Sequence, residues 1–308
     1  EFHQVYYHQL GSNQQDDALI FADKSQPNRN FGLSVTEDER IWVLSVTEST
    51  SGNALYCKKS SEQDFRAIVQ DFDHDFNVID NVGDTLLVMT NYKAAKYQVF
   101  AIDIHRPEPK YWDLLIPEQK EATLNSVQMI GGYLMARYTQ QITTVVQVYD
   151  LKGNNLGPVK LPPEFSPTLP LTISSLQGKK SLKEAYFTLS SFTIPATVCK
   201  LNTQDRSSEV WRHPVVPFNS EDFEIEFTQY TSKDGSSIPI SIVYKKGLKK
   251  TGDHPLLLYG YGGFNIPILP SFALKRLPFL EKGGIYAVAN IRGGGEMGQA
   301  WHKAGTQL

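Results

Sequence analysis

Hydrophobic and polar positions in the first 220 residues repeat in a way that predicts short β-strands. Apolar runs come in pairs, a first run and then a second run after a polar turn. The first runs are Ile41–Val46, Leu86–Thr90, Tyr133–Tyr138 and Ala185–Ser190; the second runs are Ala54–Cys57, Tyr97–Ile102, Val145–Leu151 and Ala196–Leu201, with an earlier copy at Val5–Leu10. Successive copies lie about 44 to 51 residues apart, within the range of a four-stranded propeller blade. The spacing predicts about four and a half blades of a β-propeller, and a β-sandwich accounts for it less well.

A different pattern begins after residue 255. Leu256–Gly263 (LLLYGYGG) is an apolar run that ends in glycines, and Ile285–Ile291 (IYAVANI) repeats the pattern before Arg292 and three glycines. Continuous apolar runs of this kind predict strands buried on both faces of a parallel sheet. Between them, Ser271–Lys282 has the apolar spacing of a short crossover helix, with a kink expected at Pro278. The segment is predicted to be a βαβ unit whose glycine-rich loops lie where open α/β sheets bind ligands.

A stiff, proline-containing connection near Pro214–Asp222 separates the two patterns. After it, alternation in Phe223–Tyr230 and β-rich composition in Ile238–Tyr244 predict two strands. Lys233–Ser236 between them has the composition of a hairpin turn. We therefore predict two domains, residues 1–220 and residues 221–308.

The composition of the 308 residues is that of an ordinary globular protein, with a net charge of −3. This charge gives no argument for nucleic acid or an anionic membrane surface as a partner, and no apolar run approaches the length of a transmembrane helix. Cys57 and Cys199 lie in strand-like runs, so we expect two buried, reduced thiols, which favours a cytoplasmic protein over a periplasmic one. The histidines are scattered, and the acidic run Gln70–Asp75 lacks the spacing of a calcium loop, so no metal site is predicted.

Three motifs near the end of the chain carry a resemblance to a known family. They are Tyr259–Asn265 (YGYGGFN), Val288–Gly298 (VANIRGGGEMG) and Trp301–Gly305 (WHKAG), preceded by Thr231–Gly247 (TSKDGSSIPISIVYKKG). In order and spacing they resemble the prolyl oligopeptidase family of serine peptidases. The resemblance implies a partial β-propeller of about four to five blades over residues 1–220, followed by the beginning of an α/β-hydrolase domain over residues 221–308. It also implies an enzyme, monomeric when complete and without a cofactor, that cleaves proline-containing oligopeptides after proline by an acyl-enzyme route, with the propeller gating access.

The same resemblance assigns roles to two residues of the loop after the first apolar run. Tyr261 is expected to donate a hydrogen bond to the oxyanion that forms on the scissile carbonyl. A phenol keeps its proton at neutral pH, and one oxyanion donor of α/β-hydrolases comes from this loop. Phe264 is expected to line the pocket for the proline ring, and an ordinary core aromatic is the alternative.

The glycine-rich loop after the second apolar run permits a competing interpretation. The spacing Gly293-x-Gly295-x-x-Gly298 formally fits a dinucleotide-binding loop, but we interpret the glycines as a tight hydrolase loop because the surrounding motifs explain them. Arg292 and Glu296 flank this loop and could pair to hold it, which is a structural role. His302 is expected to be structural, since the resemblance places the catalytic histidine near the carboxyl end of the family's chains.

The sequence contains no Gly-x-Ser-x-Gly, the motif that presents the nucleophilic serine of such hydrolases. We therefore expect an internal fragment of a longer peptidase that is inactive alone. In animal members of the family, the loop after the strand equivalent to Ile41–Val46 offers an arginine and a cysteine to the active site. Thr47–Thr50 stands there instead, so those roles are not carried over. Two alternatives stay open: an oligopeptidase B-like enzyme that cleaves after basic residues, and a propeller that serves as a non-catalytic interaction module.

Overall fold

The computed structural model describes residues 2–165 and 170–306, and the chain divides into two compact units between Pro117 and Glu118. Each unit contains two antiparallel sheets of four strands, and in every one of these sheets the strands are adjacent in chain order. Such meanders need only short turns between consecutive strands. These four sheets are the blades that the sequence repeat predicts.

The first unit contains a two-stranded sheet followed by two blades. Its strands are β1 (Gln4–Tyr7), β2 (Ala18–Ala22), β3 (Asn30–Val35), β4 (Ile41–Thr47), β5 (Ala54–Lys59), β6 (Arg66–Val69), β7 (Phe76–Val82), β8 (Thr85–Thr90), β9 (Gln98–Asp103) and β10 (Asp113–Ile116), with 3-10 helices at Gln14–Asp16 and Pro109–Tyr111. A shared core joins the two blades and includes Ile41 and Cys57 from one, and Val88 and Trp112 from the other. Residues 70–75, the acidic run, form the connection between β6 and β7.

The second unit begins with two further blades. Their strands are β11 (Thr123–Ile130), β12 (Tyr133–Gln140), β13 (Thr143–Tyr149), β14 (Asn155–Pro158), β15 (Thr172–Gln177), β16 (Glu184–Ser190), β17 (Thr197–Asn202) and β18 (Ser208–Arg212). Met135 and Val148 of the first of these blades pack in one core with Phe187 and Cys199 of the second. Both cysteines of the chain are free and buried, as expected. Burial raises the pKa of the Cys57 thiol to about 12 and that of Cys199 to about 11.

The predicted first and second runs correspond to the second and third strands of each blade. These middle strands are paired on both edges and packed on both faces, so they are apolar along most of their length. The first and fourth strands are more polar or shorter. For example, β14 (NLGP) and β18 (SEVWR) have no buried residue, so hydrophobicity alone did not predict them.

The chain after the last blade forms a mixed sheet of four strands. They are β19 (Phe223–Thr231), β20 (Ser237–Lys245), β21 (Leu256–Gly260) and β22 (Ile285–Ala289), accompanied by 3-10 helices at Ser220–Asp222 and Leu274–Arg276 and by helices α1 (Leu277–Glu281) and α2 (Gln299–Lys303). The spatial order is β19-β20-β22-β21. The β19–β20 hairpin is antiparallel, as predicted, and β21 pairs parallel with β22. The predicted βαβ unit is therefore confirmed.

Two local predictions for this sheet are wrong. β21 is an edge strand rather than a strand buried on both faces, and Leu256, Leu257 and Leu258 remain 59%, 50% and 60% exposed. An apolar run needs a layer on each face to be buried, and no element of the described residues supplies both layers. Pro278 does not kink a helix. It lies in the first turn of α1, where its missing N–H leaves no helical hydrogen bond unmade.

The predicted domain boundary near residue 220 stays a prediction. The second compact unit includes residues on both sides of it, and contacts cross it. Phe192 packs edge-to-face against Tyr286 with ring centres 6.2 Å apart, and the Thr172 hydroxyl donates a hydrogen bond of 2.7 Å to the carbonyl of Pro270. Within the described part of the chain, no helix has the length and apolar character required to cross a bilayer.

Candidate active site

Two loops emerge side by side from the mixed sheet. β21 and β22 run parallel in a register that pairs Gly260 with Ala289, so both strands end at the same edge. The loop after β21, residues 261–266, therefore lies next to the loop after β22, residues 290–298. We call these the first site loop and the second site loop.

Glycines let the backbones of the two site loops touch. A Cβ atom on Gly293 would lie 2.1 Å from the carbonyl oxygen of Gly262, and one on Gly295 would lie 2.4 Å from the carbonyl oxygen of Asn265. Gly293 also has φ +99°, a conformation that side chains disfavour. The space above these glycines is filled by the first site loop and does not form a cradle for a pyrophosphate. The structure thus supports the interpretation of a tight loop over that of a dinucleotide-binding fingerprint.

The two residues singled out from the sequence lie on the solvent side of the first site loop. Tyr261 is 45% exposed, and among the described residues its hydroxyl has no hydrogen-bond partner. Phe264 is 69% exposed and has φ +54°. The described residues do not bury the Phe264 ring, and its two expected roles, pocket residue and core aromatic, both stay predictions. The arrangement leaves the Tyr261 hydroxyl and the Phe264 ring exposed beyond the carboxyl end of β21.

The first site loop is held by hydrogen bonds to the second site loop and to α2. The Asn265 N–H lies 3.1 Å from the Gly293 carbonyl oxygen and 3.1 Å from Nδ1 of His302. Nδ1 of His302 also lies 2.8 Å from the Gly293 oxygen. The Gly293 N–H in turn donates to the carbonyl of Trp301 at 3.0 Å. The loop turn, the glycine-rich segment and α2 thus meet at one carbonyl group.

A buried carboxylate holds the chain just beyond the first site loop. Glu296 is 4% exposed, and its Oε1 accepts hydrogen bonds from the Ile268 N–H at 2.9 Å and from Nδ2 of Asn290 at 3.0 Å. Asn290 also donates to the Ile268 carbonyl at 2.7 Å. Glu296 therefore binds backbone and amide groups, and the predicted pair with Arg292 is wrong.

Arg292 instead forms an ion pair with Asp234 in the turn between β19 and β20. The Ser236 N–H and the Arg292 guanidinium, which both stabilise the charged carboxylate, lower the pKa of Asp234 to about 2. This pair ties the hairpin turn to the start of the second site loop. Since Asp234 is 48% exposed, the tether is a surface contact and is screened by solvent.

A cavity of about 530 Å³ lies beside the sheet, away from the two candidate residues. Its lining is mainly apolar and includes Leu257, Ile268 and Tyr286, with Arg276 also contributing. Neither Tyr261 nor Phe264 lines it. The Arg276 guanidinium lies 4.6 Å from the centre of the Tyr286 ring and donates to the carbonyl of Ser271.

Sequence reasoning missed several residues that shape this site. Asn290 and Asp234 were not singled out, and Glu296 was given the wrong partner. One signal was present for Asn290, which is the first polar residue after an apolar strand and directly precedes the glycine-rich segment. His302 contacts Gly293, which is 9 residues earlier in the chain, and Asn265, which is 37 residues earlier, and both contacts depend on the backbone path of the two loops. No local pattern reports such contacts.

Family models match two parts of the chain. Residues 1–214 match the model described as "Prolyl oligopeptidase, N-terminal beta-propeller domain", and residues 270–308 match the model described as "Prolyl oligopeptidase family". The first match confirms the predicted β-propeller over the region of the four blades. The second match covers β22 and the second site loop and confirms that a hydrolase-type segment follows.

Curated relatives align with nearly the whole chain. It is 40% identical over 307 residues to the prolyl endopeptidase of Elizabethkingia meningoseptica, covering 99% of this chain and 42% of the relative. It is 34% identical over 316 residues to prolyl oligopeptidase A of Amanita bisporigera, covering 98% of this chain and 40% of the relative. The chain thus spans less than half the length of these relatives.

Solved structures agree with the sequence matches. A structure from a structural and mechanistic analysis of two prolyl endopeptidases superposes with a TM-score of 0.92 at 35% identity, covering 98% of this chain and 44% of the other. Prolyl oligopeptidase B of Galerina marginata, bound to a 35-residue hydrolysis and macrocyclization substrate, gives a TM-score of 0.90 at 30% identity, covering 98% and 43%.

Proposed function

This chain belongs to the prolyl oligopeptidase family, and on that premise we propose that a full-length protein containing it is a serine peptidase that cleaves short peptides after proline. Residues 1–220 would supply part of the propeller that gates access, and residues 221–308 the first part of the α/β-hydrolase domain. The relatives named prolyl endopeptidase and prolyl oligopeptidase, which align with 98–99% of the chain, support the proposal.

Tyr261 is proposed as a donor to the oxyanion. Acyl transfer places negative charge on the scissile carbonyl oxygen, and a donor already aimed at that charge stabilises the transition state without reorganisation. The observation that carries this role is an exposed hydroxyl, without a hydrogen-bond partner in the described part of the chain, on a loop whose backbone is locked by contacts with Gly293 and Gly295. A donor that none of the described residues engages is available to a substrate, and a locked loop fixes its direction.

Phe264 is proposed as part of the proline pocket. A flat apolar ring matches the rigid, apolar pyrrolidine ring, and burying the two against each other removes apolar surface from water. The 69% exposure of Phe264 supports this role because the ring has surface left to bury. The positive φ of Phe264 supports it too, since backbone strain outside glycine is commonly found at functional sites.

The test compares three fluorogenic peptides that differ only at the residue before the cleaved bond: proline, alanine or arginine. With the full-length protein containing this chain, we expect the highest kcat/KM for the proline peptide. Preference for arginine would instead support the oligopeptidase B-like alternative. A folded full-length protein that cleaves none of the three would support the non-catalytic interaction module.

We also propose a monomeric, cytoplasmic protein. The buried, free thiols of Cys57 and Cys199 support a reducing compartment, because neither forms a disulfide. Sedimentation of the purified protein and fractionation of its source cells test these two points.

A further inference from the structure

His302 occupies the junction of the two site loops. It lies on α2, is half-buried, and directs Nδ1 at the Gly293 carbonyl oxygen at 2.8 Å. The same nitrogen is 3.1 Å from the Asn265 N–H, which is also 3.1 Å from the Gly293 oxygen. His302, Asn265 and Gly293 therefore form a compact group in which donors and acceptors must be matched.

Nδ1 of His302 lies near both a donor and an acceptor: the Asn265 N–H at 3.1 Å and the Gly293 carbonyl oxygen at 2.8 Å. With a proton on Nδ1, the ring donates to the Gly293 oxygen, and the Asn265 N–H donates to the same oxygen, which has two lone pairs. With the proton on Nε2 instead, Nδ1 accepts a hydrogen bond from the Asn265 N–H but presents a lone pair to the Gly293 carbonyl oxygen at 2.8 Å, which is repulsive. Because the contact with Gly293 is the shorter one and the Asn265 N–H keeps the Gly293 oxygen as an acceptor in either tautomer, we assign the proton to Nδ1.

The turn that this group holds is a disfavoured one. Gly262, Phe264 and Asn265 all have positive φ, at +60°, +54° and +57°. Residues with a side chain rarely adopt positive φ, so Phe264 and Asn265 need contacts that stabilise this strained backbone conformation. The hydrogen bonds at Gly293 are such contacts, and they end on the residue directly after Phe264.

We propose that His302 is a positioning residue for the first site loop, holding the Phe264–Asn265 turn and through it the direction of the Tyr261 hydroxyl. This inference rests on the proposed function, because it gives His302 an effect on turnover only if Tyr261 serves as the oxyanion donor. In the described part of the chain, the imidazole of His302 contacts the backbone of Asn265 and Gly293, and the proposed role needs no contact with substrate. It acts by donating one hydrogen bond to the backbone of the second site loop.

The sharpest test compares two nearly isosteric replacements in the full-length protein, His302→Asn and His302→Asp. Nδ2 of asparagine can take the place of the imidazole Nδ1–H and donate to Gly293, whereas the aspartate carboxylate can only accept. We expect His302→Asn to retain kcat within about threefold, and His302→Asp to lose about 100-fold, the scale of a small misplacement of catalytic groups. KM for the proline peptide should change much less than kcat. The exposed His213, replaced by asparagine, is the matched control and should leave kcat unchanged.

The two His302 variants are compared only when their melting temperatures agree within about 2 °C, so that a loss of folded protein is not mistaken for a loss of kcat. If His302→Asp does not fold, His302→Leu, which removes the donor without adding a charge, takes its place in the comparison. Equal losses in the asparagine variant and in the non-donor variant would overturn the proposal, because the retained donor would then have no effect.

A double-mutant cycle with Tyr261→Phe separates this inference from the proposed function. If His302 acts through Tyr261, the non-donor variant should lower kcat little further once the Tyr261 hydroxyl is gone. Additive losses would overturn the positioning role while leaving the oxyanion role of Tyr261 intact. A Tyr261→Phe variant with normal kcat would overturn the proposed oxyanion role, and the inference about His302 with it.

Discussion

Replacing Tyr261 by phenylalanine in the full-length protein removes one hydroxyl and leaves the ring in place. That hydroxyl has no partner among the described residues and the side chain is 45% exposed, so the substitution removes no hydrogen bond within them. The free energy of unfolding should change by no more than about 0.5 kcal/mol, the usual range for surface substitutions. In a full-length protein more than twice as long as this chain, such a change moves the melting temperature by less than about 1 °C.

The expected change in turnover is far larger. Removing one preorganised oxyanion donor typically raises the activation free energy by about 2.7–4 kcal/mol, which lowers kcat by about 100- to 1,000-fold. KM should move much less, because the hydrogen bond strengthens as charge develops in the transition state.

The assay measures kcat, KM and melting temperature on one preparation, with a fluorogenic proline peptide as substrate. Near-normal kcat with an unchanged melting temperature would refute the oxyanion role. Normal kcat with a markedly lower melting temperature would show in addition that the hydroxyl has a structural partner outside the described residues.

Three further predictions test other parts of the reasoning. Phe264→Ala in the full-length protein should reduce kcat/KM for the proline peptide, by a loss of transition-state binding free energy of about 1–3 kcal/mol. An unchanged ratio of kcat/KM between the proline and alanine peptides would contradict a role in the pocket. The 308-residue chain alone, verified by intact mass, should show no measurable turnover of the proline peptide, since its sequence contains no Gly-x-Ser-x-Gly; turnover by it would contradict the assignment of the nucleophile to residues outside this sequence. Asp234→Asn should lower the free energy of unfolding at pH 7, because a carboxyl whose pKa falls from 3.8 to about 2 on folding stabilises the folded state at pH values above 3.8. The difference in the free energy of unfolding between the variant and the unsubstituted protein should shrink as pH falls from about 4 to about 2. A difference that stays constant across this range would rule out the ion pair with Arg292 as its source.

The blades could be predicted from the sequence as far as their middle strands. Strands such as β4 and β12 are packed on both faces, so their apolar runs appear in the sequence directly. The outer strands are defined by pairing with a neighbour, which short polar sequences such as β18 do not show. For β21 the sequence predicted more burial than the structure shows. Its sequence is that of a buried strand, but burial depends on covering layers that lie elsewhere in a chain and that a local run cannot report.

The candidate site could be predicted only in part for a related reason. The glycines of both site loops stand out in the sequence, and the structure explains them by backbone contacts such as that between Gly262 and Gly293. The partners of Glu296 could not be read from sequence, because a buried carboxylate can be satisfied by backbone N–H groups as well as by a neighbouring arginine. Tyr261 and Phe264 were singled out through the family resemblance, and their roles remain to be tested.

The parallel pairing of β21 and β22 also has a consequence for the order of folding. Hairpins within a blade close over turns of a few residues, whereas this pair must first close the segment between Gly260 and Ile285, which carries a larger entropic cost. The two site loops acquire their mutual contacts only once that pairing exists. The surface formed by the two site loops is therefore expected to form after the blades during folding and to be lost before them during unfolding, so that a molecule without this surface can still contain intact blades.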